Sequence, residues 1–382
     1  MEKLFYGEYP KLGILGGGQL GRMFIQNALN YDVRVDILEK GDDAPSKIIS
    51  NNYVQGDIQR FDDVYNFGKN KNILTVEIEN VNIEALERLE KENVKVFPQP
   101  RVLKIIKDKG LQKQFYEAND IPTADFRIIN DKEELAQNDD FLPCFQKLRT
   151  GGYDGKGVMK LDSINSLNQA FDEPSVLEKY IDFEKELSVI VARNEKGEIK
   201  SFPVVECEFN PVLNLVEFLF TPAEISPEVE LRAQNLAKDL IEKLDMVGIL
   251  AVELFLTKDS ELLVNEVAPR PHNSGHHTIE CNYTSQFDQH LRSICNLPLG
   301  DTALRSPGVM VNLIGSKEAN GKAVYHGMED FLEKKGVFFH LYGKSQTKPG
   351  RKMGHVTIVG DSLVECKKTA QQILKEVVVK VI

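Results

Sequence analysis

The sequence predicts a mixed α/β and α+β protein with three domains, and three observations support this prediction. The chain has 382 residues, more than a single hydrophobic core usually organises. The first hundred residues alternate strands with helices, which is typical of a doubly wound parallel sheet. Further on, strands follow one another over short gaps as in hairpins, and the last part looks like a small β-rich domain. We expect the boundaries 1–103, 104–298 and 299–382.

The first domain is predicted from apolar runs that are bounded by turn residues and separated by amphipathic stretches. The predicted strands are Lys11–Leu15, Val33–Leu38 and Ile73–Ile78, and the predicted helices are Gln19–Asn30 and Asn82–Glu92. Pro98-Gln99-Pro100 then interrupts the alternation. This order predicts parallel strands with helices as crossovers.

The second domain begins with a lysine-rich helix over 101–120 and continues with hairpins. Cys144–Leu148 is expected to pair with Val158–Leu161, and Leu187–Ala192 with Ile199–Val205. A helix over 226–244 starts at Ser226, a natural N-cap, followed by Pro227 in the first turn. In the third domain, 309–314 and 355–359 are predicted strands.

Composition and charge exclude several classes of function. Lys and Arg total 47 against 58 Asp and Glu, so the net charge of −11 argues against nucleic acid and anionic membrane as partners. The five cysteines form no C-x-x-C pair, which favours a reducing compartment. With no signal peptide or long apolar stretch to be seen, we expect a cytoplasmic protein without a membrane span.

The first glycine loop, Gly16–Gly21, reads GGGQLG and satisfies G-x-G-x-x-G. It follows a predicted strand and opens a predicted helix, and Glu39 ends the next strand. This context suits a dinucleotide, because glycines let the backbone approach a phosphate at a helix N-terminus. Three interpretations remain open here: NAD(P), another anion such as a sugar phosphate, and a tight turn without a ligand.

The second glycine loop, Gly151–Gly157, reads GGYDGKG and lies between two predicted strands. It is not a Walker A loop, because only three residues separate Gly151 from Gly155 and no Ser or Thr follows the lysine. Its backbone N–H groups could cover a triphosphate, with Lys147 and Lys156 adding positive charge. The alternative is a surface hairpin with no ligand.

A carboxylate pair is predicted on adjacent strands. Gly248–Leu256 and Glu261–Val267 are joined by a four-residue loop, which places residue 253 opposite 264. Glu253 and Glu266 then share a sheet face as diagonal neighbours, about 7–8 Å apart at the backbone. Two carboxylates among aliphatic residues suit Mg²⁺, and Asn265 adds a polar neighbour. The alternative is an exposed sheet face with no metal.

A histidine-rich segment, Ala268–His277, follows the carboxylate pair directly. Its three histidines raise the possibility of zinc, although no H-E-x-x-H motif or paired cysteine accompanies them. A polar loop that recognises substrate fits better, with Arg270 offering bidentate contacts. A proline-rich surface turn is the third interpretation.

Two clusters of basic residues are also candidates for a function. Lys344, Arg351 and Lys352 form a basic cluster that either completes an anion site or stays solvated. The lysines of the helix over 101–120 are expected to form a solvated face: Lys104, Lys107, Lys109 and Lys113. No nucleophile motif is present, so covalent catalysis is not indicated.

Taken together, these motifs resemble the ATP-grasp superfamily and, within it, the enzymes that carboxylate 5-aminoimidazole ribonucleotide in microbial purine biosynthesis. The resemblance covers essentially the whole chain. It rests on GGGQLG at 16–21, Lys147 with GGYDGKG at 151–157, EKYI at 178–181, Glu253, Asn265-Glu266, PRPHNSGH at 269–276 and RKMGH at 351–355. The glycine hairpin, PRPHNSGH and RKMGH are the specific elements of this set.

The resemblance implies a Rossmann-like N-terminal domain, a central ATP-grasp domain and a small C-terminal β-rich domain. It implies an ATP-dependent ligase that joins bicarbonate to the amine of the ribonucleotide through carboxyphosphate, releasing ADP and phosphate. ATP with Mg²⁺, or Mn²⁺ in its place, is the implied cofactor set. The implied partners are small molecules (ATP, bicarbonate and aminoimidazole ribonucleotide) together with a second copy of the chain in a homodimer.

The resemblance also implies roles for individual residues. Those placed in the reaction are Tyr153, Asp154, Lys156, Arg270 and His272. Those expected to contact the nucleotide are Lys104, Lys147, Gly152, Tyr153, Asp154, Gly155, Lys156, Gly157, Val158, Glu178, Lys179, Tyr180, Ile181, Glu186, Asn265 and Glu266. Those expected at the ribonucleotide are Gln19, Leu20, Glu77, Asn273, Ser274, Lys344 and Arg351. Glu253 and Glu266 are the implied metal ligands.

One position departs from the family pattern. Many members have a histidine in an E-N-x-H segment near the nucleotide, whereas this chain reads Glu206-Cys207-Glu208-Phe209. Three other functions compete with the one implied by the resemblance. They are a formate-using ATP-grasp transformylase of purine synthesis, an NAD(P)-dependent oxidoreductase built on Gly16–Gly21, and a nucleotide sensor without turnover.

Overall fold

A computed structural model describes residues 10–152, 157–210 and 215–381, without the side chains of 209, 210 and 215–217. The first domain is a five-stranded parallel sheet with the strand order β3-β2-β1-β4-β5. Its elements are β1 Leu12–Leu15, α1 Gln19–Leu29, β2 Val35–Glu39, β3 Asn52–Gln55, α2 Phe61–Gly68, β4 Ile73–Val76, α3 Ile83–Lys91 and β5 Lys95–Phe97. The predicted parallel α/β domain is confirmed.

Two helices, α4 Pro100–Lys107 and α5 Lys109–Ala118, replace the single helix predicted over 101–120. The break falls at Asp108, whose carboxylate accepts hydrogen bonds from Gly110 N and Leu111 N and so caps α5. Arg149 binds the same carboxylate through two nitrogens, at 2.9 and 2.7 Å. The kink therefore fixes α5 against the strand that precedes the second glycine loop.

A small antiparallel sheet with the order β6-β9-β7-β8 follows. It contains β6 Phe126–Ile129, α6 Lys132–Ala136, β7 Cys144–Leu148, β8 Val158–Leu161 and β9 Ser175–Lys179, with 3₁₀ turns at Asp139–Phe141 and Ile164–Gln169. The predicted pairing of β7 with β8 is confirmed, with Lys147 opposite Val158. The glycine loop is thus the tip of this hairpin.

A nine-stranded sheet forms the centre of the molecule. The segment that builds its first part comprises β10 Phe183–Arg193, β11 Ile199–Ser201, β12 Val205–Asn210, β13 Leu215–Thr221, α7 Pro227–Lys243, β14 Gly248–Thr257 and β15 Leu262–Ala268. Its strands lie in the order β15-β14-β10-β12-β13, with β11 beside β10, and three C-terminal strands follow β13. Helix α7 packs its buried face, which includes Ala233, Ala237 and Leu240, against β10 and β14. Ser226 caps this helix as predicted.

The segment after β15 contains a 3₁₀ turn at Asn273–Gly275, then α8 Thr278–Cys281 and α9 Gln286–Ile294. Helix α9 packs against α1, and Phe287, Leu291 and Ile294 share one buried cluster with Met23 and Phe24. The histidine-rich segment therefore lies between the central sheet and the first domain.

The last part of the chain comprises β16 Gly308–Ile314, β17 Gly321–His326, α10 Glu329–Leu332, β18 Val337–Leu341, β19 Gln346–Thr347, β20 Lys352–Val359, α11 Leu363–Glu376 and β21 Val378–Val381. Strand β16 pairs with β13, so the C-terminal strands continue the central sheet. A separate three-stranded sheet has the order β19-β17-β21. In the part of the chain that the structure describes, no helix is long and apolar enough to cross a bilayer.

Candidate functional site

The two acidic residues of the β14–β15 hairpin lie directly opposite each other. The register runs Leu254 opposite Val264 and Glu253 opposite Glu266, with a bulge at Asn265 between them. The predicted pairing of 253 with 264 is therefore wrong by two residues: the turn is shifted by one residue, and the bulge adds another to one strand. The expectation that both carboxylates share a face is correct, and direct opposition brings them closer than the predicted diagonal arrangement.

Glu186 on β10 joins this acidic face. It lies two residues from Ser188, which pairs with Glu253, so both side chains of β10 project to the same side as that carboxylate. Burial, followed by repulsion from Glu266 and Glu186, raises the pKa of Glu253 to about 7. Burial likewise raises the pKa of Glu186 to about 7. Without a cation, full ionisation of the carboxyl groups on this face is therefore unfavourable.

These residues fit a divalent cation, since their charges repel and the raised pKa of Glu253 would be relieved by a positive ion. Among the described residues, no group of three or more His, Cys, Asp or Glu could by itself hold a metal. Two carboxylates with the remaining ligands from phosphate and water are the usual arrangement for Mg²⁺. Glu253 and Glu266, with Asn265 between them, are thus suited to a metal that arrives with a nucleotide.

A buried ion-pair network faces the acidic sheet from the small sheet and α5. The Lys147 Nζ atom donates to Glu178 Oε2 at 2.9 Å and to Asn265 Oδ1 at 3.2 Å. Lys113 Nζ lies 3.4 Å from Glu178 Oε1 and donates to Thr123 Oγ1 at 2.6 Å. Glu178 is 5% exposed and thus holds two ammonium groups in place from the interior.

Burial and charge compete at each member of this network. Burial disfavours the ionised Glu178, but Lys147 and Lys113 outweigh it and hold the pKa of this carboxyl below its usual value. Burial lowers the pKa of Lys113 to about 8 despite Glu178. Burial also opposes the charge of Lys147, but Glu178, Glu266 and Glu253 together raise its pKa. Lys147 is therefore a firmly charged group at the acidic face.

The prediction of a solvated lysine face on the helix over 101–120 is wrong for three of its four members. Lys107 is half-buried, and its ammonium donates to Val81 O at 3.1 Å. The other two lie in the site. Lys113 is 1% exposed, and Lys109 Nζ lies 3.5 Å from Glu266 Oε1. The kink at Asp108 turns α5 so that these lysines point to the site. Lys104 is exposed on α4 and makes no hydrogen bond or ion pair with the described residues, so nothing in the structure connects it with the nucleotide site.

The second glycine loop is described at its two ends. Gly151 and Gly157 have φ values of 81° and 73°, which favour glycine, and a Cβ at Gly157 would lie 3.2 Å from the Gly152 Cα. Val158 is partly exposed beside Lys147. Tyr153, Asp154, Gly155 and Lys156 lie outside the described residues, so their predicted roles stay predictions.

The EKYI segment divides its side chains between two faces. Glu178 points to Lys147, and Tyr180 is 43% exposed beside Phe145. Lys179 points elsewhere, since its ammonium donates to the carbonyls of Phe141 and Leu142. Lys179 can therefore line a pocket through its main chain but not through its side chain. Ile181, which is half-buried, follows it.

The PRPHNSGH loop is pinned on both sides of His272. Ser274 Oγ lies 2.9 Å from His272 Nδ1 and 2.8 Å from Ser188 Oγ on the acidic face. His272 Nδ1 is 3.7 Å from Glu253 Oε1, beyond hydrogen-bond range. Burial, with Arg270 and Lys352 nearby, lowers the pKa of His272 well below its usual value. A neutral imidazole is thus held at the edge of the acidic face.

Other residues of this loop hold the domains together. The amides of Asn273 and Asn312 on β16 bind each other reciprocally at 2.8 and 3.0 Å. Arg270 pairs with Glu79 of the first domain, with 2.9 Å between Nε and Oε1. The zinc interpretation finds no support, because His276 and His277 are buried and bound to Gln286 and to Ser274 O, away from His272. The described residues contain no zinc cluster.

The first glycine loop is filled by the protein's own carboxylates. Glu77 accepts hydrogen bonds from Gly18 N and Gly21 N, both at 2.6 Å, and Glu39 accepts one from Gly17 N at 2.9 Å. A Cβ at Gly18 would lie 2.2 Å from Glu77 Oε1. The NAD(P) interpretation is therefore wrong, because these carboxylates occupy the space and the amides that a pyrophosphate would need.

Two amides of this loop remain available. The N–H groups of Gln19 and Leu20 begin α1 and donate to no other group of the described chain. The C-terminal basic segment reaches the same region, since a Cβ at Gly343 would lie 2.7 Å from Arg22 Nη1, and Ser345 Oγ donates to Asp43. Lys344 and Arg351 belong to this segment, and their nitrogens donate to Lys352 O and Gln346 O. The segment that contains these two cations thus contacts Arg22 of α1 and Asp43 of the first domain.

Three family models match the chain in succession. A ribonucleotide synthetase preATP-grasp domain matches residues 9–107, an ATP-grasp domain matches 114–287, and the C-terminal domain of phosphoribosylaminoimidazole carboxylase matches 308–369. The N5-carboxyaminoimidazole ribonucleotide synthase of Bacillus subtilis is 37% identical over 91% of this chain and 91% of its own. The chain belongs to the N5-carboxyaminoimidazole ribonucleotide synthase family.

Solved structures of this family share the whole fold. The N5-carboxyaminoimidazole ribonucleotide synthetase of Thermotoga maritima is 38% identical, with a TM-score of 0.91 over 98% of this chain and all of that one. The Aspergillus clavatus enzyme in complex with ADP and 5-aminoimidazole ribonucleotide is 32% identical, with a TM-score of 0.88 over 96% of this chain and 98% of that one. The predicted three-part fold and family are thereby confirmed.

Longer relatives also match. The chain spans about two thirds of the length of the phosphoribosylaminoimidazole carboxylases that it resembles: 68% of the protein from Ogataea methanolica and 64% of the one from Vigna aconitifolia, each 38% identical. The part that is shared with these carboxylases covers 92–94% of this chain.

Proposed function

We propose that this chain is an ATP-dependent ligase that carboxylates the amine of 5-aminoimidazole ribonucleotide with bicarbonate, giving N5-carboxyaminoimidazole ribonucleotide, ADP and phosphate in purine biosynthesis. The observation that carries the proposal is the acidic face of Glu186, Glu253 and Glu266 opposite the buried Lys147. Family membership supports the choice of substrate, because the Aspergillus clavatus enzyme of the same fold is in complex with ADP and the ribonucleotide.

The nucleotide is proposed to lie between the two sheets. Lys147 would bind its phosphates, and Glu186 its ribose. Tyr180, Ile181 and the main chain of Lys179 would line the base. Glu253 and Glu266 would hold Mg²⁺, or Mn²⁺ in its place, which when bound neutralises charge on the phosphate oxygens.

The ribonucleotide phosphate is proposed to bind at the start of α1. The N–H groups of Gln19 and Leu20 supply directed donors, and Lys344 and Arg351 supply charge. Glu77 supports this region by binding Gly18 and Gly21, which leaves the two neighbouring amides pointing outward. In this proposal the ribonucleotide phosphate binds apart from the phosphates of ATP.

The reaction needs positioning and charge stabilisation more than a nucleophilic side chain. Bicarbonate attacks the γ-phosphate to give carboxyphosphate, which releases CO₂ for capture by the amine. Arg270 and the neutral His272 lie beside the acidic face and are proposed to orient bicarbonate. Tyr153, Asp154 and Lys156 are proposed to act from the glycine hairpin, whose closure would exclude water from the intermediate.

The metal assignment is tested by Glu266→Ala. The Glu266 side chain is 53% exposed, so its removal should leave the fold intact while ATPase activity falls by several orders of magnitude. Glu261→Ala, at an exposed position on the same hairpin, is the matched control and should retain activity. Retained activity in Glu266→Ala would contradict the assignment.

The cellular setting belongs to the same proposal. We infer a cytoplasmic enzyme acting as a homodimer on small molecules, with no nucleic-acid or membrane partner. The net charge of −11 supports the exclusion of polyanionic partners. Sedimentation or light scattering of the purified chain would test the dimer.

A further inference from the structure

The PRPHNSGH loop depends on one buried side chain, Gln286 at the start of α9. Gln286 is fully buried, and its own N–H donates to Thr278 Oγ1 at 2.8 Å. Its amide binds both backbone polar groups of one residue: Oε1 accepts from His272 N at 2.9 Å, and Nε2 donates to His272 O at 2.8 Å. The side chain thus replaces the backbone partner that an extended residue would find in a sheet.

The same amide fixes a second histidine. Gln286 Nε2 lies 2.9 Å from His276 Nδ1, so the nitrogen that donates to His272 O also has His276 as an acceptor. Because the backbone N–H of His272 requires an acceptor and its C=O requires a donor, the amide has only one satisfactory orientation. His276 must therefore present an unprotonated Nδ1 to Gln286.

The loop has a glycine, Gly275, where the Gln286 side chain packs against it. A Cβ at Gly275 would lie 2.4 Å from Gln286 Oε1, so any larger residue there would displace the amide. Thr278, which binds Gln286 N, donates in turn to Gly275 O at 2.6 Å. The glycine in PRPHNSGH is thus explained by the packing of Gln286, not by a turn that needs a positive φ.

We propose that Gln286 is a positioning residue for the carboxylation reaction: it fixes the backbone of His272 and thereby places the imidazole beside Glu253. The inference rests on the proposed function, because it assumes that His272 takes part in orienting bicarbonate. Gln286 itself does not touch a substrate. It acts through His272, whose Nδ1 reaches Ser274 and, at 3.7 Å, Glu253.

The chain supplies a matched control on the same helix. Gln289, one turn further along α9, is also fully buried, and its amide binds the backbone of one residue in the same way: Oε1 accepts from Gly300 N at 2.8 Å, and Nε2 donates to Gly300 O at 3.2 Å. Gly300 lies in the connection toward the C-terminal strands and not in the site. Loss of either amide should weaken the fold comparably, but only one should affect the chemistry.

The test compares Gln286→Met with Gln289→Met, which keep side-chain length and remove the hydrogen bonds. Thermal unfolding and fluorescence-detected ADP binding show whether each variant is folded. We expect Gln286→Met to lower kcat for ribonucleotide-dependent ADP formation by about tenfold to a hundredfold, since small displacements of a reacting group have effects of this size. The KM for ATP should stay within about twofold, and Gln289→Met should keep its kcat within the same range.

A second variant covers the case in which Gln286→Met does not fold. Gln286→Glu keeps the acceptor for His272 N, and its introduced carboxyl group can donate to His272 O only when it is protonated. Its activity relative to the unmodified chain should therefore rise as the pH falls from 8 to 6. Equal losses of kcat in the two methionine variants, or a flat pH ratio for Gln286→Glu, would overturn the inference. An unmodified chain without ribonucleotide-dependent turnover would instead refute the proposed function.

Discussion

Glu178→Gln removes the carboxylate that holds Lys113 and Lys147 in the interior. The change keeps the shape of the side chain but leaves two ammonium groups without their shared partner, at distances that are now 3.4 and 2.9 Å. With an effective dielectric constant of about 20, such pairs attract by about 5–6 kcal/mol each before desolvation is counted. Glu178 is 5% exposed, so water cannot easily replace it.

The net loss is smaller than the sum of these attractions. The pKa of Lys113 is already about 8, and without Glu178 it falls further, so this lysine can lose its proton at neutral pH. Removal of one partner from a buried ion pair typically costs about 3–5 kcal/mol. For a unit the size of the central domain this corresponds to a melting temperature lower by about 6–20 °C. Nucleotide binding should also weaken, because Lys147 loses its 2.9 Å contact.

Thermal unfolding and ADP titration of four variants would test this reasoning. Glu365→Gln, which removes an exposed pair with Lys368, is the control and should change stability by less than about 1 kcal/mol. Lys113→Met should destabilise the protein less than Glu178→Gln, because the charge of Lys113 is itself costly to bury. The double variant that combines Glu178→Gln with Lys113→Met should recover part of the stability that Glu178→Gln loses. Purely additive effects, or a loss no larger than in Glu365→Gln, would refute the reasoning.

Three further predictions concern the acidic face and the ribonucleotide site. Because the pKa of Glu253 is raised to about 7, the folded chain keeps a proton that the unfolded chain loses, so metal-free stability should fall as pH rises from about 5 to 8. Glu253→Gln should flatten this fall in melting temperature, and an unchanged slope would contradict the assignment. Gly18→Ala would drive a Cβ to 2.2 Å from Glu77 Oε1, so the KM for the ribonucleotide should rise at least about tenfold while ADP binding is unchanged. Arg351→Ala should chiefly raise the KM for the ribonucleotide, with exposed Lys348→Ala as control; a change in ATP affinity alone would argue against its role.

Most of the fold could be predicted because its helices and strands have clear signals in the local sequence. The hairpin of Cys144–Leu148 with Val158–Leu161 and the helix capped by Ser226 follow from alternation, turns and caps. The continuation of the central sheet into the C-terminal strands was not predictable, because β13 and β16 are far apart in sequence. Pairing over such distances leaves no local pattern.

The site was predictable where residue type decides the chemistry. Glu253, Glu266 and Lys147 were found from spacing and charge, and the structure brings them to one face. The register of Glu253 was wrong, because a bulge at Asn265 has no clear signal in one sequence. Lys109 and Lys113 were assigned to solvent because a lysine-rich helix usually is solvated; only the kink at Asp108 shows which way α5 turns.

The group that binds the first glycine loop could not be predicted from the sequence, for a different reason. Its G-x-G-x-x-G pattern is equally suited to an external phosphate and to a carboxylate of the same chain, since both need close approach to backbone amides. Glu77 lies 59 and 56 residues beyond its two partners, and no local pattern connects them. Gln286 was missed for a related reason, because a single buried amide after a serine cap looks like an ordinary helix residue.

The proposed reaction couples ATP cleavage to carboxylation of 5-aminoimidazole ribonucleotide. A direct measurement follows ADP formation together with incorporation of ¹³C-bicarbonate into the ribonucleotide, with Mg²⁺ present and with each substrate omitted in turn. We expect ADP and carbamate to form together when ATP, bicarbonate and ribonucleotide are all present, and formate not to replace bicarbonate. ADP formation that is independent of the ribonucleotide and of bicarbonate, or that is supported by formate, would contradict this reaction.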